Sequence, residues 1–153
     1  MQHEPEDLYP ERKPRPRLRA PGTAYFITWR TAPSGHPLAP SERDVVLAAL
    51  KHFDKIRYEL LAAVVMDDHV HVVVYPIAPA QIDGIVAGWR SYTAHRLVVA
   101  GGRAPPLWQR NGFDRVVWEG GELAEKIAYV LRNPWRRWPE IPEYPWVWPP
   151  PNA

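Results

Sequence analysis

Residues 58–66 and 69–77 form two apolar runs separated by Asp67-Asp68. Both are rich in β-branched residues, so the pattern predicts two strands joined by a tight hairpin. In the second run, His69-Val70-His71-Val72-Val73-Val74, strand alternation sends His69 and His71 to one side and Val70, Val72 and Val74 to the other. Upstream, Thr23-Ala24-Tyr25-Phe26-Ile27-Thr28-Trp29 reads as a first strand, followed by a Pro/Ser/Gly loop. Val46, Leu50, Phe53 and Ile56 recur at helical spacing and predict a helix to about Arg57, with Ser41 as its cap and Asp44 completing an imperfect capping box.

Ile82, Ile85, Val86, Trp89, Thr93 and Leu97 predict a second amphipathic helix over 81–99, stopped by Gly101-Gly102. Leu107-Trp108-Gln109 follows a Pro-containing loop, residues 113–118 form another strand, and Gly120-Gly121 ends it. On the last predicted helix, residues 122–133, Leu123, Ile127, Val130 and Leu131 share one sector as the buried stripe, and Pro134 requires the helix to end before it. The order β-α-β-β-α-β-α implies an α+β fold of the ferredoxin-like split βαβ kind. It has an antiparallel sheet, two helices on one face and an extra C-terminal helix.

Charge and proline alternate through residues 1–21, which read as a basic, Pro-rich N-terminal arm; residues 22–138 form the domain; residues 139–153 read as an extended Pro/Trp-rich strap. A chain of 153 residues with 46% apolar content is sized for one domain with a genuine core. The absence of cysteine excludes disulfides and thiolate metal sites, so any metal must use His, carboxylate or amide ligands. No apolar stretch approaches the roughly 20 residues of a membrane span, and the N-terminus does not read as a signal peptide, so a soluble cytoplasmic protein is expected.

The net charge of +2 understates the basic character, because Arg12, Lys13, Arg15, Arg17 and Arg19 cluster early and Arg132, Arg136 and Arg137 late. Such clusters suit a polyanion. Most of the eight tryptophans belong to the core, but Trp135 and Trp138, interleaved with Arg136 and Arg137, are candidates for stacking on unpaired bases.

Two imidazoles on one strand face can grip one divalent ion, although an arbitrary H-x-H is more often a pair of surface histidines. Opposite the apolar stripe of the last helix lies Tyr129, with Glu122, Glu125 and Asn133 as polar companions. Tyr92, nearer the apolar stripe of its own helix, reads as structural. A phenol with pKa near 10 is a poor nucleophile at neutral pH and needs a nearby cation.

His69-Val70-His71, then Leu107-Trp108-Gln109-Arg110 with Phe113-Asp114-Arg115-Val116, then Tyr129-Val130-Leu131-Arg132-Asn133-Pro134 resemble the motifs of the single-tyrosine HUH transposases. The chain is most similar to the REP-associated tyrosine transposases, a bacterial branch often domesticated, over residues 25–137. The resemblance implies the HUH endonuclease fold, His69 and His71 as the metal pair, Tyr129 as nucleophile, and Asn133 as the polar catalytic residue and third ligand. It implies Mg²⁺ or Mn²⁺ and single-stranded DNA with a REP-like hairpin, cut through a 5′-phosphotyrosine intermediate without a nucleotide cofactor. A monomer or homodimer, associated with the bacterial nucleoid, is expected. Candidate DNA contacts are Arg15, Arg17, Arg19, Arg110, Arg115, Arg132, Trp135, Arg136 and Arg137. The chain departs from the family pattern at Asp67-Asp68, where Pro-Asn is usual, at Val130, where Ile is commoner, and at Asn133, where related transposases have Gln. Two other functions fit the same motifs: a domesticated hairpin-binding protein with little or no catalysis, and a metal-dependent phosphodiesterase that uses water.

Overall fold

The computed structural model describes residues 23–33, 35–118 and 120–151, so Arg15, Arg17 and Arg19 lie outside the described residues. The chain runs β1 (Ala24–Thr31), α1 (Pro40–His52), β2 (Tyr58–Val65), β3 (His69–Pro76), α2 (Ile82–Ala94), β4 (Trp108–Val117), α3 (Gly121–Arg137) and β5 (Val147–Trp148). The strands make one antiparallel sheet in the order β4-β1-β3-β2-β5. The first four strands have the split βαβ order expected from the alternation of elements. No helix of the described residues is long and apolar enough to cross a membrane.

The sheet is covered on both faces, and the pleat sorts its side chains. Tyr25, Ile27 and Trp29 of β1 and Val70, Val72 and Val74 of β3 pack with Leu50 of α1 and Ile82, Ile85 and Trp89 of α2. Ala24 and Phe26, with Val64 of β2 and Val73 of β3, point the other way, toward Val130 of α3 and Tyr144 and Val147 of the tail. Strands β1 and β3, covered on both faces, are therefore buried on seven and six of their eight residues.

Several boundaries differ from the sequence expectations. Helix α1 is capped by Ala39 rather than Ser41: Pro40 occupies its first turn, and the Glu42 carboxylate accepts the Ala39 N–H at 2.8 Å. It stops at His52, well short of Arg57. The buried Tyr58 hydroxyl donates to the Leu50 carbonyl at 2.7 Å, and Lys55 takes a left-handed φ of 74°. Ile56, expected in the apolar stripe, is 67% exposed. Helix α2 continues as a π-helical segment, His95–Ala100, before Gly102 turns the chain with a φ of 81°.

Strand β4 runs unbroken from Trp108 through Asn111 to Val117, where the strand was expected only over residues 113–118. Arg90 of α2 donates to the Gln109 and Arg110 carbonyls and so supports the middle of the strand. A Cβ on Gly112 would stand 3.1 Å from the Thr28 carbonyl oxygen, which explains the glycine at this close approach.

The largest correction concerns α3, which does not end before Pro134 but carries it inside the helix and reaches Arg137. A proline here forgoes one helical hydrogen bond at a cost of about 3 kcal/mol. Pro134 itself is buried, Trp135 and Trp138 pack into the second core, and the Trp138 N–H closes the last turn on the Pro134 carbonyl at 2.7 Å. Partial burial of the two indoles and of the proline ring offsets this local penalty.

The tail is extended, as expected, and contributes to the sheet. Val147 and Trp148 pair with Val64 and Ala63 of β2 as the edge strand β5. The Tyr144 hydroxyl donates to the Val65 carbonyl at 2.7 Å, and the Trp146 indole N–H donates to Asp44 at 2.8 Å.

Candidate active site

One end of the sheet gathers the polar residues of an otherwise apolar face. In the β1–β3 register Thr28 lies opposite His71 and Arg30 opposite His69, while β4 brings Trp108 opposite Thr31 at the same end. Thr28, Arg30, His69 and His71 share the face covered by α3, because each pair alternates with Trp29 or Val70 on the other face.

Both histidines are held by their Nδ1 atoms. His71 Nδ1 lies 2.7 Å from the Thr28 hydroxyl, and His69 Nδ1 lies 2.7 Å from an Asp68 carboxylate oxygen. The rings meet edge to face with centroids 4.6 Å apart. Engagement of Nδ1 leaves Nε2 as the free ring nitrogen of each, which is how a metal-ligating histidine is usually oriented by its second hydrogen bond. His71 is held well below the ordinary histidine pKa, first by burial and then by the positive surroundings of His69, Arg30 and Arg136. It is therefore a neutral imidazole at pH 7, the form that binds a cation. Asp68 is lowered to about 2, chiefly by the hydrogen bond with His69, and remains a carboxylate.

Helix α3 crosses above this pair. Tyr129 stands with its ring centroid 5.3 Å from that of His71 and 6.0 Å from that of Phe26. The Arg136 guanidinium lies 5.0 Å from the Tyr129 ring centroid and the Lys126 ammonium 6.0 Å from it. Asn133, one turn beyond Tyr129, is buried.

The buried side of α3 differs from the expected Leu123/Ile127/Val130/Leu131 stripe. Lys126, Val130, Asn133 and Pro134 are the buried residues, while Leu123, Ile127 and Leu131 are half-buried at its flanks. The helix is rotated so that its polar sector meets the polar end of the sheet. The expected neighbours Glu122 and Glu125 do not share one environment: Glu122 pairs with Arg115 of β4, and Glu125 is exposed.

The Asp67-Asp68 turn also anchors the end of α3. Arg137 lies 3.3 Å from Asp67 and 3.7 Å from Asp68. One carboxylate thus orients a histidine while the pair ties the β2–β3 turn to the tyrosine helix. A Pro-Asn turn could not supply these charges.

Among the described residues no group of three or more His, Cys, Asp or Glu is placed to hold a metal ion. The donors brought together here are two imidazole Nε2 atoms, and Asn133, expected as a third ligand, is buried on α3 one turn beyond Tyr129. This set fits a six-coordinate divalent cation only if water or a phosphate supplies the remaining oxygens.

The other expected DNA contacts are distributed unevenly. Arg110 and Arg132 are exposed, and Arg136 is exposed beside Tyr129. The Trp135 indole N–H donates to the Ile141 carbonyl at 2.9 Å, and Trp138 stacks on Tyr144 with centroids 5.7 Å apart. Tyr92 is about half exposed, on α2, behind the opposite face of the sheet. Thr28, Arg30 and Lys126 were not singled out in the sequence. For Lys126 the spacing of one turn from Tyr129 was a usable signal; for Thr28 and Arg30 it was the two-residue step along β1.

No protein-family model and no curated protein matches the chain. Solved structures do, among them the following two. A REP-associated tyrosine transposase, determined bound to a REP hairpin, superposes with a TM-score of 0.67 at 15% identity, over 89% of this chain and 82% of its own. A crystal structure of a protein designated a candidate transposase, from Deinococcus radiodurans R1, superposes with a TM-score of 0.52 at 20% identity, over 79% of this chain and 97% of its own. The chain shares the fold of these two proteins, and in it the histidine pair and Tyr129 lie on one face of the sheet.

Proposed function

We propose that the protein is a divalent-metal-dependent enzyme that cuts and rejoins single-stranded DNA carrying a hairpin, through a covalent bond to Tyr129. The observation that carries this reading is the contact of the Tyr129 ring with His71, 5.3 Å between centroids, beside two histidines whose Nδ1 atoms are already engaged. A bound Mg²⁺ or Mn²⁺ would polarise a non-bridging phosphate oxygen and offset the charge that grows there. His69, His71 and Asn133 would hold it.

The chain's own residues account for the rest. Thr28 and Asp68 fix the imidazole rings. Arg136 and Lys126 place positive charge beside the Tyr129 ring, suited to the phosphate that the phenol would attack. Attack of the Tyr129 oxygen on phosphorus forms a 5′-phosphotyrosine bond and breaks the bond to the 3′-oxygen. The phenol proton is released and the departing oxygen gains one. Because one phosphodiester replaces another, rejoining requires no nucleotide cofactor. Arg30, Arg110, Arg132 and Arg136 lie around or near this end and supply phosphate contacts. The hairpin-bound neighbour supports hairpin-bearing DNA as substrate.

The test is incubation of the protein and its Tyr129→Phe variant with labelled hairpin-bearing single-stranded DNA and Mn²⁺ or Mg²⁺, followed by denaturing electrophoresis. A covalent band is expected only with Tyr129 and metal, and DNA affinity should be largely kept in the variant. An adduct that persists in Tyr129→Phe overturns the nucleophile. Cleavage without any adduct points to water as nucleophile, and binding without cleavage to a domesticated hairpin-binding protein.

A further inference from the structure

On the face of the molecule away from the histidines, α1 and α2 diverge and leave a cavity of about 370 Å³. Phe53, Ile85 and Trp89 line it, with the Tyr58 ring as part of the wall. It exists because of two glycines one turn apart on α2: a Cβ built on Gly84 or Gly88 would meet nothing within 4 Å. Glycine in a helix interior costs about 1 kcal/mol relative to alanine, so two of them keep open a space that packing would otherwise close.

The wall is mainly apolar, and its charged groups have one sign. His52, Arg57 and Arg96 border the cavity, and no carboxylate does. The Arg57 guanidinium lies 3.9 Å from the Phe53 ring centroid, and Arg96 donates to the Tyr92 hydroxyl at 2.7 Å. Neither pairs with a carboxylate among the described residues, so each keeps N–H donors for an anion. The Tyr58 hydroxyl is already engaged, accepting from Trp89 and donating to Leu50. Little remains in the wall to satisfy the polar edge of a nucleobase, which would leave several donors and acceptors unpaired on entry.

We propose that this cavity is a binding site for a small amphipathic anion: an aliphatic or simple aromatic body seated against Trp89 and Ile85 over the two glycines, with a terminal carboxylate held by Arg57 and Arg96. Its size is that of pockets that enclose small ligands, and its apolar wall with a few charged groups at one border suits such a molecule. The inference is independent of the strand-transfer reading, since the site lies on the opposite side of the sheet from Tyr129.

The test uses the full chain with decanoate as probe, followed by calorimetry and by displacement of 8-anilinonaphthalene-1-sulfonate fluorescence. Saturable binding is expected. Gly88→Leu, which fills the cavity while improving helix propensity, should weaken it about 10-fold or more, as expected when several methylenes lose their buried contacts. Arg57→Gln and Arg96→Gln, on the surface, should each weaken it about 3-fold, and uncharged decanol should bind less tightly than decanoate. Melting curves of each variant confirm that it is folded.

The proposal is overturned by any of four results: no decanoate binding at millimolar concentration, equal binding by decanol, binding unchanged in Gly88→Leu, or displacement of decanoate by hairpin DNA. It is also overturned if the protein self-associates and Gly88→Leu makes it monomeric, because the cavity would then be occupied by a second copy.

Discussion

The two faces of the sheet are built from the same strands but have opposite characters. Toward α1 and α2, β3 presents Val70, Val72 and Val74, each completely buried. Burial of such a side chain contributes about 1.5–3 kcal/mol and requires no particular partner atom. Toward α3, the same strand presents His69, His71 and Val73, and the two histidines are buried only because Asp68 and Thr28 meet their ring nitrogens. The pleat thus separates stability from chemistry at one-residue resolution. Evolution or engineering can alter one face without entering the other.

Adjacent substitutions test that separation most directly. If the proposed function holds, His71→Ala is expected to lower metal-dependent cleavage at least about 100-fold, because a proposed ligand is lost rather than merely a partner of one. Val72→Ala should keep cleavage and instead lose about 2 kcal/mol of stability, a fall of roughly 5 °C in Tm. Cleavage rates and melting curves on the two variants decide the matter. If Val72→Ala abolishes cleavage, or His71→Ala only lowers Tm, the faces are not functionally distinct.

The asymmetry also explains what was legible in the sequence. Alternation within β3 is local, so the common face of His69 and His71 could be read directly, and the element order yielded the sheet topology. Tyr129 was found through its motif and its helical phase. The partners that complete the site come from elsewhere. Thr28 lies 43 residues before His71 and becomes its neighbour only through the β1–β3 register. Pro134 was read as a helix terminator because local stereochemistry is all that a sequence window shows, whereas burial of Trp135 and Trp138 depends on the tail. Likewise Asp67-Asp68 read as a charged turn beside the histidines, but its tie to Arg137, 70 residues away, could not be read locally.

Tyr144 and Val147 of the tail pack on the α3 face, and the attachment of Tyr144 is expected to depend on pH. The Tyr144 phenol, pushed up to about 12 from an ordinary 10.0 chiefly by burial, donates to the Val65 carbonyl only in its neutral form. A group whose pKa is raised by folding adds stability that is complete below the unfolded pKa and lost as pH rises through the folded one. Stability should therefore fall between about pH 10 and pH 12, by roughly 2 kcal/mol from this residue. Tyr144→Phe should cost about 1 kcal/mol at pH 8 through the lost hydrogen bond and make the alkaline fall shallower. Urea unfolding as a function of pH measures both. A slope unchanged by the substitution would detach the tail from the stability of this face.

The smallest expected effect belongs to Arg30, which stands opposite His69 at the open end of the α3 face and is exposed. Its charge reaches both Asp68 and His71, so it acts on the site electrostatically without a hydrogen bond to either histidine. A cation in that position suits a DNA phosphate next to the one being cut. Arg30→Gln should raise KM for hairpin-bearing DNA about 5-fold with kcat little changed, and reduce the slope of log affinity against log salt by about one. Arg30→Lys should restore the salt slope, because one phosphate contact needs a charge rather than a planar fork. If kcat falls instead and affinity holds, Arg30 touches the reacting phosphate itself, and the chemical end of this face extends from β3 onto β1.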